Sequence, residues 1–270
     1  MPDEEDTAED ERRLFGEARD RTVAFVASSL GVTRVELAGD QIGRFSLVHR
    51  GRASSVASGA DTLVVGADED VLVAAGDEFT PTGFGPATAV SVVDGRPVAA
   101  APDGTVARLV GDDWEAVGEV VGPGRMDGDL LATGEGVYRV GDNLVHLGAA
   151  NVRDVAAAGP YAATADGLLR SDDGWHRVVG GDWTLVAATD GRAHAVGEDG
   201  LYVREDDGWH AEDLPTDAPL VDLAHGESFY AVTADGTMFV HAAPEVTPDG
   251  QGGWRSRALG VPEVTGLTVL

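Results

Sequence analysis

Cysteine is absent from the 270 residues, and so is lysine; all 19 basic side chains are arginine. Without cysteine there is no disulfide framework, no thiolate metal site and no thiol nucleophile. Cations as a class are scarce: 47 acidic side chains leave a formal net charge of -28. That balance argues against a general nucleic-acid or anionic-membrane surface, because phosphate binding needs excess cations. Aromatic residues reach only 6%. Long apolar runs are missing too, and no stretch approaches the roughly 20 apolar residues of a membrane helix. Residues 1–20 carry nine acids, three Arg and no apolar run, unlike a signal peptide. These absences lead us to expect a soluble, cytoplasmic protein. The hydrophobic fraction of 43% is ordinary for a globular chain, so the high charge does not by itself argue disorder.

The acids follow no metal-loop spacing; they are scattered singly along the chain. Ordinary surfaces mix Lys with Glu and Asp. A surface of unopposed carboxylates suits concentrated salt, where repulsion is screened within about 3 Å at 1 M. In this respect the chain resembles the proteins of haloarchaea, which keep molar salt in the cytoplasm.

An internal repeat runs through the chain. One turn-and-strand unit recurs as APDGTVARL (101–109), TGEGVYRV (133–140), TADGLLRS (164–171), GEDGLYVR (197–204) and TADGTMFV (233–240). The marker glycines are Gly104, Gly136, Gly167, Gly200 and Gly236. Looser copies lie at Gly31 and at Glu69-Asp70, which makes seven units. Asp-Gly supplies the positive φ of two-residue hairpin turns. Around each marked turn sit an apolar run, a short strand and a fourth segment that often carries Trp, as in 111–117, 172–178, 206–212 and 252–258. Four short strands repeated at this period predict a β-propeller blade. A helical repeat of similar length needs long glycine-free runs, and 37 glycines interrupt this chain.

The termini predict ring closure. Segment 262–270 reads as an isolated inner strand, whereas 21–29, 31–37 and 42–50 are three strands with no inner one. Together they form one composite blade, which removes two sheet edges. The expected fold is therefore an all-β, seven-bladed propeller over 21–270. Segment 1–20 is an acidic tail that can hold a short helix over 8–18, with Leu14, Phe15 and Ala18 on one face.

Ser171-Asp172-Asp173-Gly174-Trp175 resembles a shortened Asp-box, as in sialidase-like and photosystem-assembly-like propellers. The chain after residue 20 resembles a haloarchaeal family of seven-bladed propellers of unknown function. Asp-box turns are structural, and fold does not imply function.

Candidate chemistry is sparse. The seven His (49, 146, 176, 194, 210, 225, 241) form no HxH or HExxH pair. His146, His176, His210 and His241 fall on or near outer strands. His225 ends an inner strand near a channel mouth, and Asp222 and Asp154 are the nearest polar companions for a channel ligand. A sialidase-like arginine cluster cannot be placed, since the inner strands offer Arg125 and Arg153 alone and the four Tyr lie on middle strands. The expectation is no catalytic set, no cofactor and no metal. The outer-strand Trp114, Trp175, Trp209 and Trp254 read as packing between blades.

Charge is uneven. Residues 21–59 carry five Arg against two acids, a net of +3, while 60–270 carry 11 Arg against 36 acids, a net of -25. Arg34, Arg44, Arg50 and Arg52 lie in the composite blade, and Arg255 and Arg257 on the preceding outer strand. They either pair with local acids or the acidic tail, or form a docking surface for an acidic partner, protein or nucleic acid. The expected function is a monomeric, non-enzymatic binding or scaffold module with a protein partner. The alternative is a ligand-binding protein or a glycosidase- or lyase-like enzyme using the central channel.

The charge imbalance makes a first prediction. Raising KCl from about 0.1 M to about 1 M shortens the screening length from about 10 Å to about 3 Å. The melting temperature should rise strongly over that range, and dialysis into water should loosen the fold. A melting temperature that ignores salt would contradict adaptation to it.

Overall fold

A computed structural model describes residues 22–59, 62–76, 78–242 and 253–270. The tail 1–20, with its expected helix, lies outside the described residues.

The described strands form seven four-stranded antiparallel sheets. Blade one contains β4 (Ala53–Gly59), β5 (Thr62–Ala67), β6 (Val71–Ala75) and β7 (Glu78–Pro81). Blade two contains β8 (Ala89–Val93), β9 (Arg96–Ala100), β10 (Thr105–Val110) and β11 (Asp113–Glu119). Blade three contains β12 (Pro123–Asp127), β13 (Leu130–Thr133), β14 (Gly136–Val140) and β15 (Leu144–Gly148). Blade four contains β16 (Val152–Ala156), β17 (Tyr161–Thr164), β18 (Gly167–Ser171) and β19 (Trp175–Gly180). Blade five contains β20 (Trp183–Thr189), β21 (Arg192–Gly197), β22 (Gly200–Glu205) and β23 (Gly208–Glu212). Blade six contains β24 (Leu220–His225), β25 (Phe229–Thr233), β26 (Thr237–Ala242) and β27 (Gly253–Ala258). The composite blade runs in the order β28 (Val264–Val269), β1 (Val23–Ser28), β2 (Gly31–Ala38) and β3 (Gln41–Arg50). The first strand of each blade lies innermost, and in the composite blade that strand is β28. The fold is thus the expected seven-bladed propeller, closed by pairing of the two terminal regions.

The recurrent turn follows from two local requirements. In TGEG and TADG the Thr hydroxyl staples the hairpin: Thr133 Oγ1 donates to Gly136 O at 2.8 Å and accepts from Gly136 N at 3.0 Å, and Thr164 does the same around Gly167. The marker glycine also meets the chain leaving the outer strand. A Cβ on Gly104 (φ +100°) would lie 2.0 Å from Val120 O, and one on Gly236 (φ +82°) 2.2 Å from Val261 O. No side chain fits there, and φ itself disfavours an L-residue. Where Asp70 replaces glycine in blade one, its carboxylate accepts from the amides of Val71, Gly83 and Gly85 at 2.8–2.9 Å and folds the following loop onto the turn.

Among the described residues the core consists of seven apolar wedges, each between two neighbouring blades. One joins Phe25, Ala27 and Val32 of the composite blade to Val56, Leu63 and Val65 of blade one. Another joins Tyr161 and Leu168 of blade four to Trp183 and Val186 of blade five. The outer-strand Trp pack into these wedges: Trp114 lies 4.6 Å from the Phe84 ring, and Trp209 lies 5.6 Å edge-on to Tyr161. Many wedge residues are Val and Ala, so stability comes from many small burials rather than a few large ones.

Closure rests on β28. It pairs with β1 from Ala24↔Val269 to Ser28↔Val264, and Val23 and Leu270 exchange backbone hydrogen bonds of 3.0 and 2.8 Å. Deleting residues 264–270 removes Val264 and Leu267, both buried, worth about 1.5–3 kcal/mol each, and exposes a full strand edge. Against a typical total of about 5–15 kcal/mol, the truncated protein should melt well below the intact one. Equal melting temperatures would mean that β28 does not close the ring.

Candidate functional site

The seven inner strands surround an axial cavity of about 560 Å³. Inner strands of adjacent blades belong to different sheets, so their backbones do not form ladders with one another. Side chains join them instead. Ser58 Oγ meets Thr268 Oγ1 at 2.7 Å, linking blade one to β28. Ser54 Oγ donates to Ala87 O at 2.6 Å toward blade two. Ser91 Oγ donates to Gly128 O at 2.8 Å, from blade two to three. Asp127 Oδ2 accepts from Ala157 N at 2.7 Å, from blade three to four.

The acidic channel candidates belong to this ring of links. Asp154, on β16, accepts from its neighbour Val155 N at 3.0 Å and from Val186 N of blade five at 2.9 Å. Asp222, on β24, accepts from Leu223 N at 2.9 Å and from Leu267 N of β28 at 2.7 Å. Arg125, on β12, crosses the channel to a strand three blades away. Its Nη1 donates to Asp222 Oδ1 at 2.9 Å and its Nη2 to Val221 O. The inner-strand Arg153, by contrast, pairs with Asp182 at the blade four–five junction.

Burial drives the Asp154 carboxyl up to about 7, against the pull of Arg125, while the negative charge of Asp222 adds to the rise. Burial likewise raises Asp127. For Arg125 burial favours deprotonation, but Asp222 and Asp154 outweigh it and the guanidinium is held more firmly charged.

His225 lines the same cavity, and the structure adds companions that sequence reasoning missed. Its Nε2 lies 3.2 Å from His194 Nδ1. His194 Nε2 lies 3.1 Å from Glu212 Oε2, and Glu212 Oε1 lies 2.8 Å from His241 Nδ1. The chain His225–His194–Glu212–His241 therefore runs from the channel wall outward between blades five and six. His194 stacks on Phe229 at 3.7 Å, and His241 on Trp254 at 4.7 Å. Burial lowers His225 to about 3, with repulsion from His194 and Arg192 adding to it. Burial also lowers His194, against its bond to Glu212. Burial alone would raise Glu212, yet the hydrogen bonds and charges of His194 and His241 bring it to about 2. These residues sit on strands of two blades, 13 to 47 positions apart in the numbering, with no spacing motif. The one available signal was a polar His inside RAHAV, a segment that otherwise reads as core.

The basic sector is extensively ion-paired. Arg34 and Arg44 share Glu36 at 3.1 and 3.6 Å. Arg52 reaches Glu263 at 3.0 Å and Asp68 at 3.8 Å, and Arg255 reaches Asp40 at 3.2 Å. Arg257 donates to Ile42 O and Gly43 O and lies over the Phe45 ring at 4.9 Å. Among the described residues, Arg50 has no carboxylate within 4.0 Å, and the Arg44 side chain is 87% exposed. Elsewhere, ligand atoms of Glu205, Asp207 and His210 come within 4.8 Å of one another on an exposed hairpin, where His210 bonds Asp207 at 2.8 Å. Among the described residues no helix is long and apolar enough to cross a membrane.

Two substitutions report the buried titrations with opposite sign. Between its ordinary 6.5 and about 3, His225 binds a proton in the unfolded chain but not in the folded one. Stability from this group therefore falls as pH drops through that window. Asp154 does the reverse: between 3.8 and about 7 the folded chain holds the proton, so stability falls as pH rises. Relative to wild type, His225→Asn should become less destabilised as pH falls toward 3. Asp154→Asn should become less destabilised as pH rises toward 7. Melting curves across pH check both, and parallel curves for wild type and variant would refute the assigned environment.

Several solved structures share this architecture. They include the computationally designed Ika8 protein (19% identity, 90% of this chain and 86% of that one, TM-score 0.55). Apo AztD from Citrobacter koseri is similar at 12% identity, over 90% of this chain and 84% of that one, with TM-score 0.53. Human WBSCR16 is similar at 15%, over 83% and 88%, with TM-score 0.53. At such identities the likeness concerns the fold alone. No curated protein matches the chain by sequence. The family described as Beta-prop_HVO_0234-like, beta propeller, matches residues 8–270, and the chain, with its seven blades and composite closure, belongs to that family.

Proposed function

We propose that this protein is a non-enzymatic binding scaffold of a salt-rich cytoplasm. The observation that carries this reading is the occupation of the channel carboxylates. Asp154 and Asp222 each hold two backbone amides from adjacent blades, and Arg125 is committed across the channel to Asp222. Groups tied into the wall in this way brace a ring; a general acid or base needs an atom within reach of substrate. The docking surface we favour is the outer strand β3 of the composite blade. Exposed Arg44 and Arg50 stand there in the one sector of net positive charge, suited to steering an acidic protein surface.

The test compares the wild type with the double variant Arg44→Glu, Arg50→Glu, each recovered from a lysate of a salt-adapted host without lowering the salt. Native mass spectrometry should find a stoichiometric protein on the wild type, and at least about tenfold less on the variant, a change of about 1.4 kcal/mol. A small molecule retained by both forms, with no protein, would instead favour the channel-ligand or enzyme alternative built on His225, Asp222 and Asp154.

A further inference from the structure

The sequence DDGWH occurs twice, as 172–176 in blade four and 206–210 in blade five, and the two copies fold differently. In blade four Ser171 pairs with Trp175 and Arg170 with His176, so Asp172, Asp173 and Gly174 make the turn. In blade five Glu205 pairs with Gly208 and Val203 with His210, so Asp206 and Asp207 alone make the turn. Residues two apart on a strand share a face of the sheet, as do residues paired across a ladder. Glu205 and His210 therefore stand on one side of the β22–β23 hairpin, with Asp207 at its tip.

The result is a set of three donors. One ligand atom from each of Glu205, Asp207 and His210 lies within 4.8 Å of the other two, and all three residues are exposed. His210 Nε2 already meets Asp207 Oδ1 at 2.8 Å. In blade four the residue before the motif is Ser171, which brings no carboxylate, and His176 Nε2 lies 3.8 Å from Asp172 Oδ2. Among the described residues the blade-five hairpin alone assembles three such donors. An imidazole beside two carboxylates suits a borderline divalent ion such as zinc, which takes nitrogen and oxygen at about 2.0–2.2 Å. Exposed side chains reach that separation by rotamer changes, while the ladder holds their backbones in place. The hard ions magnesium and calcium favour shells of oxygen alone, so the imidazole sets this group apart from the scattered surface acids. An ion with three protein donors also keeps a coordination position for water or for a donor from outside the chain.

We propose that Glu205, Asp207 and His210 form a surface site for a divalent transition-metal ion of the zinc class, held by one imidazole nitrogen and two carboxylates. The site lies on blade five, separate from the composite-blade surface, and does not depend on it.

Isothermal titration calorimetry of the full chain with zinc nitrate tests this, in about 1 M potassium nitrate, where screening within about 3 Å suppresses diffuse attraction to the surface acids. Saturable one-to-one binding is expected, and in nitrogen NMR spectra the ring signals of His210 should shift while those of the other histidines stay in place. Glu205→Gln, Asp207→Asn and His210→Asn should each weaken binding at least about tenfold, since even the outer hydrogen-bond partners of metal ligands are worth about 10–100-fold in affinity. His176→Asn, in the other copy of the motif, should leave affinity unchanged; melting temperatures confirm that each variant is folded. The proposal is overturned by absence of binding at that salt, by equal affinity in the hairpin variants, or by magnesium binding as tightly as zinc. Loss of binding in His176→Asn with retention in the hairpin variants would place the ion on blade four and overturn it as well.

Discussion

Everything in this ring depends on how seven sheets that share no backbone ladder are held side by side. Within a blade, hydrogen bonds run from strand to strand. Between blades there are apolar wedges and, near the axis, side chains that reach from an inner strand to the backbone or a side chain of the neighbouring blade. The hydroxyls of Ser54, Ser58 and Ser91, the carboxylates of Asp127, Asp154 and Asp222, and the His194–His225 pair distribute these links around all seven junctions. A buried carboxylate without partners would be costly. Here each one is solvated by amides whose own ladder partners are missing at the inner edge, so two deficits cancel. The β28–β1 ladder converts the row of blades into a closed ring and gives the composite blade its inner strand.

That arrangement explains why polar residues on a channel wall can be poor evidence of catalysis. Asp154 has the elevated pKa and burial often associated with a catalytic acid. Its oxygens are nevertheless engaged by Val155 and Val186 on two strands. The same perturbation follows from a structural duty in a dry place. Arg125 is the exception in reach rather than in kind, bracing the channel across its width where the other links brace neighbours.

Charge is organised on a different principle. The acids are scattered singly along the chain, while several arginines are placed by the repeat. Recurrence on the third strands puts a guanidinium at one end of successive blades, where most meet a nearby Asp. In blade five the arginine comes one residue later, so Arg204 faces the opposite side of its sheet, toward blade four.

The blade count, the strand positions and the composite closure were legible in the chain because their determinants are local. A Thr that staples its own turn, a glycine forced by one approaching carbonyl, and alternation along five residues are short-range constraints that recur at each repeat. The terminal strands were legible by subtraction, since β1 to β3 lacked an inner partner and β28 lacked a blade. The placement of Asp154, Asp222 and His225 near the axis followed from the same assignment. What those residues touch did not. The span from Arg125 to Asp222, the file His225–His194–Glu212–His241 and the reach of Arg192 to Gly226 O join residues across blades. Such contacts depend on the rotation between sheets and on bulges in the inner strands, including those at Val152/Asp154 and Leu220/Asp222, which turn individual side chains toward or away from the axis. No pattern in one segment encodes an angle between two, so those contacts were decided only when the ring closed.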